Sequence, residues 1–215
     1  MQTDLSDENM KFVGGSLCLD FVNTVDAWAS SPGRSPLRQY GDTPLREKLV
    51  DYNALVRWGQ LASALSVSEA NHLVECAANH PQDAAATLSR ALRLRRALYR
   101  IHKAVFQRWE PEGADLDLFH RELAIARKHE RLSYSEGSFH WTWDDLSEAL
   151  DRIIWPVARS AADLLTSPEL IRLRQCKGEE CGWLFLDTSR NRSRHWCDMS
   201  DCGNRDKVRR FRLRN

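Results

Sequence analysis

Four cysteines near the C-terminus are the residues best spaced to do chemistry. Cys176 and Cys181 have four residues between them, Cys197 and Cys202 have four, and fifteen separate the pairs. Each pair sits in a short polar loop with a glycine in or just after it, a setting that turns two thiolates toward one point. Four thiolates make the closed tetrahedral set that structural zinc prefers, so one structural Zn2+ is the expected cofactor. A dense basic set surrounds them: Arg190, Arg192, Arg194, Arg205, Lys207, Arg209, Arg210 and Arg212. Trp183, Phe185 and Trp196 are expected to cover the metal, because a module this small does not hold itself together by burial alone. Asn204 is expected to cap a last helix whose Val208 and Phe211 pack on that centre. Arg205, Arg209 and Arg212 recur at helical spacing and share a face suited to phosphates and guanine edges.

Charge divides in the same place. Residues 172–215 hold twelve Lys+Arg and six Asp+Glu, leaving 19 basic and 24 acidic residues in 1–171. Four thiolates around one divalent ion carry about −2, which offsets only part of the basic excess. An anion-binding tail on a mildly acidic body follows, with DNA as the expected partner. No stretch has the length of a membrane helix, and the N-terminal segment lacks the basic start and apolar centre of a signal peptide. These features and the metal-type cysteines point to the cytoplasm. Cys18 and Cys76 are read as small buried hydrophobes.

No catalytic constellation stands out. There is no His-Glu-x-x-His and no glycine-rich phosphate loop. Glu69 and His72 have metal-helix spacing in a single copy, and the remaining histidines are scattered. The expectation is a binding protein, not an enzyme.

The elements that must position the tail are mostly helical. Ser16 is expected to cap a helix to about Trp28, with Leu17, Phe21, Val25 and Trp28 on one face. A long loop, 29–42, follows. Asp20, Asn23 and Arg34 are the candidate lining of a ligand pocket; the alternative is that Asp20 and Asn23 bond backbone at a loop or cap. Thr43-Pro44 reads as a helix start, with the helix reaching about Leu65 and Gly59 weakening it. Ser66 and Glu69 form a capping box for a further helix. A strongly periodic helix spans 83–109 with Arg95 in its inner stripe, and another spans 116–132. Alternation in 132–143 around Glu136-Gly137 predicts a β-hairpin. A last long helix over 146–165 is expected to bend at Pro156. The fold class is therefore mainly α: a helical N-terminal domain with one β-hairpin, residues 1–168, and a small treble-clef-like zinc module, residues 169–215. With no Gly/Ser linker at the boundary, the two are expected to pack together.

Cys176-x4-Cys, Trp183-Leu-Phe-Leu-Asp187, Ser189-Arg-Asn191, Arg194-His-Trp-Cys197, Met199 and Cys202-Gly-Asn-Arg205 together resemble the CGNR zinc-finger family. Gly15-Ser-Leu-Cys-Leu-Asp-Phe-Val-Asn-Thr24 resembles the start of the ABATE domain that usually precedes this finger. His195 departs slightly from the family pattern, but the cysteine set is complete without it. The resemblance implies a stress-induced bacterial transcription regulator whose finger binds nucleic acid and whose helical domain senses a small-molecule effector; the polar residues beside the first apolar helix and the long loop after it add the expectation that this domain holds such a ligand or forms a homodimer. Two alternatives stand beside it: an RNA- or protein-binding module with purely structural zinc, and a helical domain whose main work is binding a small molecule.

Overall fold

In a computed structural model the described residues are 10–29, 43–144, 148–178 and 180–213. Helix α4 (Pro81–Gln107) is the pillar of the body and contacts α1 (Leu17–Val22), α2 (Tyr52–Leu61), α3 (Val67–Asn79), α5 (Gly113–His129) and α6 (Ile154–Thr166). Its inner face supplies Leu94, Leu98, Tyr99 and Ile101 to the core together with the fully buried Arg95 and His102. Arg95 is tolerated there because its guanidinium donates to both Glu47 carboxylate oxygens and to the Thr24 hydroxyl and carbonyl. The basic outer face of α4 is engaged by acids: Arg90 pairs with Glu122 and Asp151, and Arg100 with Asp115. Burial holds the His102 imidazole down at about 4, so it is a neutral core residue.

Several helix boundaries differ from the sequence expectation. The first helix stops at Val22, and Val25–Ala29 instead forms strand β1, paired antiparallel with β2 (Thr43–Glu47). Thr43-Pro44 is thus the start of a strand. Local capping chemistry lost to pairing, because this hairpin places Trp28 and Val25 under the C-terminal module. Helix α2 starts later, with Asp51 accepting from the Ala54 N–H at 2.7 Å. Gly59 has a packing reason: a Cβ there would lie 2.1 Å from Ile153 Cδ1, so any larger residue would have to displace the buried Ile153 side chain.

The capping box on Ser66 and Glu69 forms as read. Pro156 does not bend a long helix. It sits in the first turn of α6, which follows a 3-10 turn at Leu150–Ile153. Strands β3 (Glu130–Ser135) and β4 (Ser138–Trp143) make the expected hairpin, with positive φ at both Glu136 and Gly137. Cys18 is buried as expected, whereas Cys76 is only half-buried and lies 3.4 Å from His72 Nε2. No described helix is long and apolar enough to cross a membrane.

The C-terminal module begins with β5 (Leu173–Gln175) and β6 (Leu184–Leu186), an antiparallel pair, and ends with α7 (Asn204–Arg212). Leu173, Leu184 and Phe185 join the same hydrophobic cluster as Phe21, Trp28 and Tyr99. Body and module therefore share one core.

Candidate metal centre and basic surface

The short β5–β6 pair builds the first cysteine loop. Cys176 donates its N–H to the Trp183 carbonyl at 2.8 Å, so the strand pairing carries on into the loop and holds Cys176 and Cys181 together. Gly182 makes the return possible. Its φ is +69°, and a Cβ there would meet Trp28 Cβ and the Trp28 carbonyl at 3.2 Å. The second loop is tied to the first by Lys177 N–H donating to the His195 carbonyl at 3.0 Å. Cys197 sits at a bend, and Cys202 lies in a wide helical turn, Met199–Gly203, that leads into α7.

All four sulfurs are buried and lie within 4.8 Å of one another. Cys181–Cys197 is 3.6 Å and Cys197–Cys202 is 3.7 Å. A tetrahedron with Zn–S of about 2.3 Å has S–S edges of about 3.8 Å, so the set fits zinc in shape and donor type. Cys176 Sγ accepts from the N–H groups of Gly178 and Cys197 at 3.4 and 3.3 Å, and Cys202 Sγ from Arg205 at 3.2 Å. Such donors orient thiolates and spread their charge. Among themselves the sulfurs oppose full ionisation: Cys176 first pushes the Cys181 and Cys197 thiols up, while the same contacts hold the Cys176 and Cys202 thiols down. A bound divalent cation reverses that, because it sits nearer each sulfur than the sulfurs sit to one another.

The body grips this centre through backbone. Asn23 is buried; its Nδ2 donates to the Leu184 carbonyl at 2.8 Å and its Oδ1 accepts from Leu184 N–H at 3.1 Å. Trp28 N–H donates to the carbonyl of the ligand Cys181 at 2.9 Å, and Trp183 Nε1 donates to the Val25 carbonyl at 3.0 Å. Trp28 stacks on Tyr99 with 3.9 Å between centroids, and the Tyr99 hydroxyl accepts from Gln175. The N-terminal segment adds a strap: Gly14 O accepts from Leu186 N–H, and Lys11 lies 3.0 Å from both Asp198 and Asp201.

Asn23 thus has neither of its sequence readings. Its main-chain N–H caps α1 on the Leu19 carbonyl, but its side chain reaches strand β6, 161 residues away, in place of local backbone or a ligand. Asp20 follows the local reading: its Oδ1 accepts from Gly14 N–H at 2.7 Å, holding the strap, while burial pushes its carboxyl up to about 6. Arg34 lies outside the described residues.

The basic residues separate into two kinds. Arg194 belongs to the module's own frame: it donates to the Trp196 and Cys197 carbonyls and stacks over Phe185. Arg205 spans Cys202 Sγ and Asp201, and Arg209 and Arg210 share Asp206. Arg190, Arg192, Lys207 and Arg212 are exposed and form no ion pair among the described residues. The expected cap is corrected. Asn204 is the first residue of α7, and the turn before it is capped by Asp198, whose Oδ1 accepts from Ser200 N–H. Val208 and Phe211 do not pack on the metal centre; they are 49% and 68% exposed. Trp183 and Phe185 are buried in the same cluster as the cysteines, with Trp196 half-buried against it. The short module simply has no core left for α7 to cover.

Sequence reasoning missed Lys11, Arg46 and Lys48. With Trp183, Asp201 and Arg205 they line a cavity of about 340 Å3 on the seam between body and module. No signal in the sequence joins segments so far apart.

Residues 15–168 match the ABATE family, described as "Putative stress-induced transcription regulator", and residues 172–215 match the CGNR zinc finger. No curated protein matches the chain. The finger match and the four clustered thiols together identify one structural zinc ion held by Cys176, Cys181, Cys197 and Cys202.

Proposed function

Since the chain belongs to the ABATE family and ends in a CGNR zinc finger, we propose that it is a zinc-dependent regulator that binds duplex DNA through the finger. The observation that carries this reading is α7 itself: Asp206 is its only buried residue, and Lys207 and Arg212 stand free on it. A metal-anchored helix presenting cations fits a phosphate-lined groove. In this reading the protein binds and does not catalyse, because its most tightly gathered titratable side chains are metal ligands. It acts in the cytoplasm, where DNA lies and thiols stay reduced.

Titrating duplex affinity against salt tests it. Four free cations neutralising phosphates give a log–log slope of about −4, moving toward −5 as Arg209 and Arg210 join. Lys207→Glu with Arg212→Glu should weaken binding roughly 30-fold or more at physiological salt, with zinc content and helicity unchanged. Unchanged affinity in that variant would favour the second reading, a protein partner, to which the exposed Val208 and Phe211 lend weight. Equal affinity for single strands or RNA would point to RNA.

The body's role in this reading is to sense an effector and to assemble copies. The seam cavity supports sensing, since its walls come from both parts of the chain. Burial lowers the Lys48 ammonium's pKa, and Lys48 lies 5.2 Å over the Trp183 ring with Asp26 at 3.6 Å. A desolvated cation on an aromatic floor suits a small anion bearing phosphate or carboxylate groups. Inorganic pyrophosphate should therefore raise the melting temperature of the wild type and leave Lys48→Met unmoved. An equal rise in both proteins would rule the cavity out.

A further inference from the structure

The β3–β4 hairpin has two unlike faces. Directly opposed residues of an antiparallel pair share a face. One face therefore carries Arg131 with Thr142, Ser133 with His140 and Ser135 with Ser138, all polar. The other carries Glu130 with Trp143, Leu132 with Trp141 and Tyr134 with Phe139. This second face starts in the core, where Trp143 meets Trp155 at 5.9 Å, and then runs outward. Beyond that point, Arg159 over Trp141 apart, no described residue stacks on it. Leu132 is 57% exposed, Tyr134 64%, Phe139 70% and Trp141 57%.

A two-stranded hairpin is marginal in water unless its apolar face is packed. Here the face continues the core's apolar pattern into solvent, with Tyr134 and Phe139 held ring to ring at 5.0 Å. The four side chains together expose roughly 500 Å2. That is at the upper end of what a monomer leaves open and more than half of the roughly 800 Å2 per partner that a stable interface buries.

We propose that this face is the homodimer interface, and that its occupant is the same hairpin of a second copy. The area argues for a protein surface of this size. The chemistry argues against a charged peptide: outward of Glu130 this face carries no ionisable side chain but the Tyr134 phenol, so neither an acidic nor a basic peptide gains complementarity. An apolar ladder can meet the same ladder of a second copy across a two-fold axis, which is what a closed pair requires. Arg159, placed 5.2 Å over Trp141, supplies the polar rim at the base of the arm. The inference deepens the assembly part of the reading above but is independent of DNA binding, because it is measured without nucleic acid.

Sedimentation equilibrium of the zinc-loaded full chain at tens of micromolar should give twice the 24.8 kDa chain mass. Tyr134→Glu with Phe139→Glu should give the single-chain mass, with zinc content and far-ultraviolet dichroism unchanged. Tyr134→Ser with Phe139→Ser serves if the glutamates disturb folding. A wild type that stays monomeric at 100 micromolar, or a variant that stays dimeric while folded, overturns the proposal; the first outcome would assign the face to another protein.

Discussion

Removing zinc should unfold the finger and loosen the body with it. In isolated finger peptides the metal contributes on the order of 10–16 kcal/mol to folding, comparable to or above the 5–15 kcal/mol that holds a whole domain. Without the ion, four thiols within 4.8 Å are left with mutual repulsion or protonation. The sequence alone suggests that Cys197→Ser would unfold the tail and spare the helices. The shared core changes that expectation. Leu173, Leu184 and Phe185 are buried in one cluster with body residues, each worth about 1.5–3 kcal/mol of burial, so losing them falls on α1 and α4. Several kcal/mol in a chain of this size lowers the melting temperature by roughly 10 °C or more. Calorimetry with and without chelator, and on Cys197→Ser, checks this. A body transition that stays where it was in the metal-free protein would mean that the two parts are energetically separate.

Asn23→Ala should be the most damaging substitution that leaves every zinc ligand in place. It strips the partner from a buried backbone N–H and a buried carbonyl of Leu184 at once. Each orphaned group costs about 1–3 kcal/mol, giving roughly 2–5 kcal/mol in total. Asn23→Asp should recover little, since a carboxylate accepts from the Leu184 N–H but faces the Leu184 carbonyl with another acceptor. Zinc stoichiometry should stay at one per chain while amide exchange at β6 accelerates. Urea denaturation showing a loss under about 1 kcal/mol would transfer the docking role to the Trp28 and Trp183 contacts.

The two substitutions also separate what is local from what is not. The cysteine pairs, the capping box at Ser66, the hairpin turn at Glu136-Gly137 and the inner stripe of α4 were legible because each follows from local spacing. Spacing determines whether two thiolates meet, and a capping hydroxyl reaches only its own first turn. Arg95 was legible for the same reason, since the periodicity around it leaves only an inward position.

Most of what the sequence misassigned depends on how segments pack and not on local pattern. Val25–Ala29 has a helical apolar pattern, yet it pairs with Thr43–Glu47 and is covered by the finger. A strand's ladder and the Trp28–Cys181 bond outweigh a weak local preference for helix. Pro156 moved from a kink to a helix start because the preceding residues took a tighter turn. Val208 and Phe211 followed a helical face correctly, but the finger had no surface left to receive them. Asn23 shows the division most clearly. Its residue type determined that it would seek a donor and an acceptor; only the packing of α1 against β6 decided that both belong to Leu184, because a buried strand end must have its N–H and carbonyl satisfied by whatever side chain the fold brings beside it.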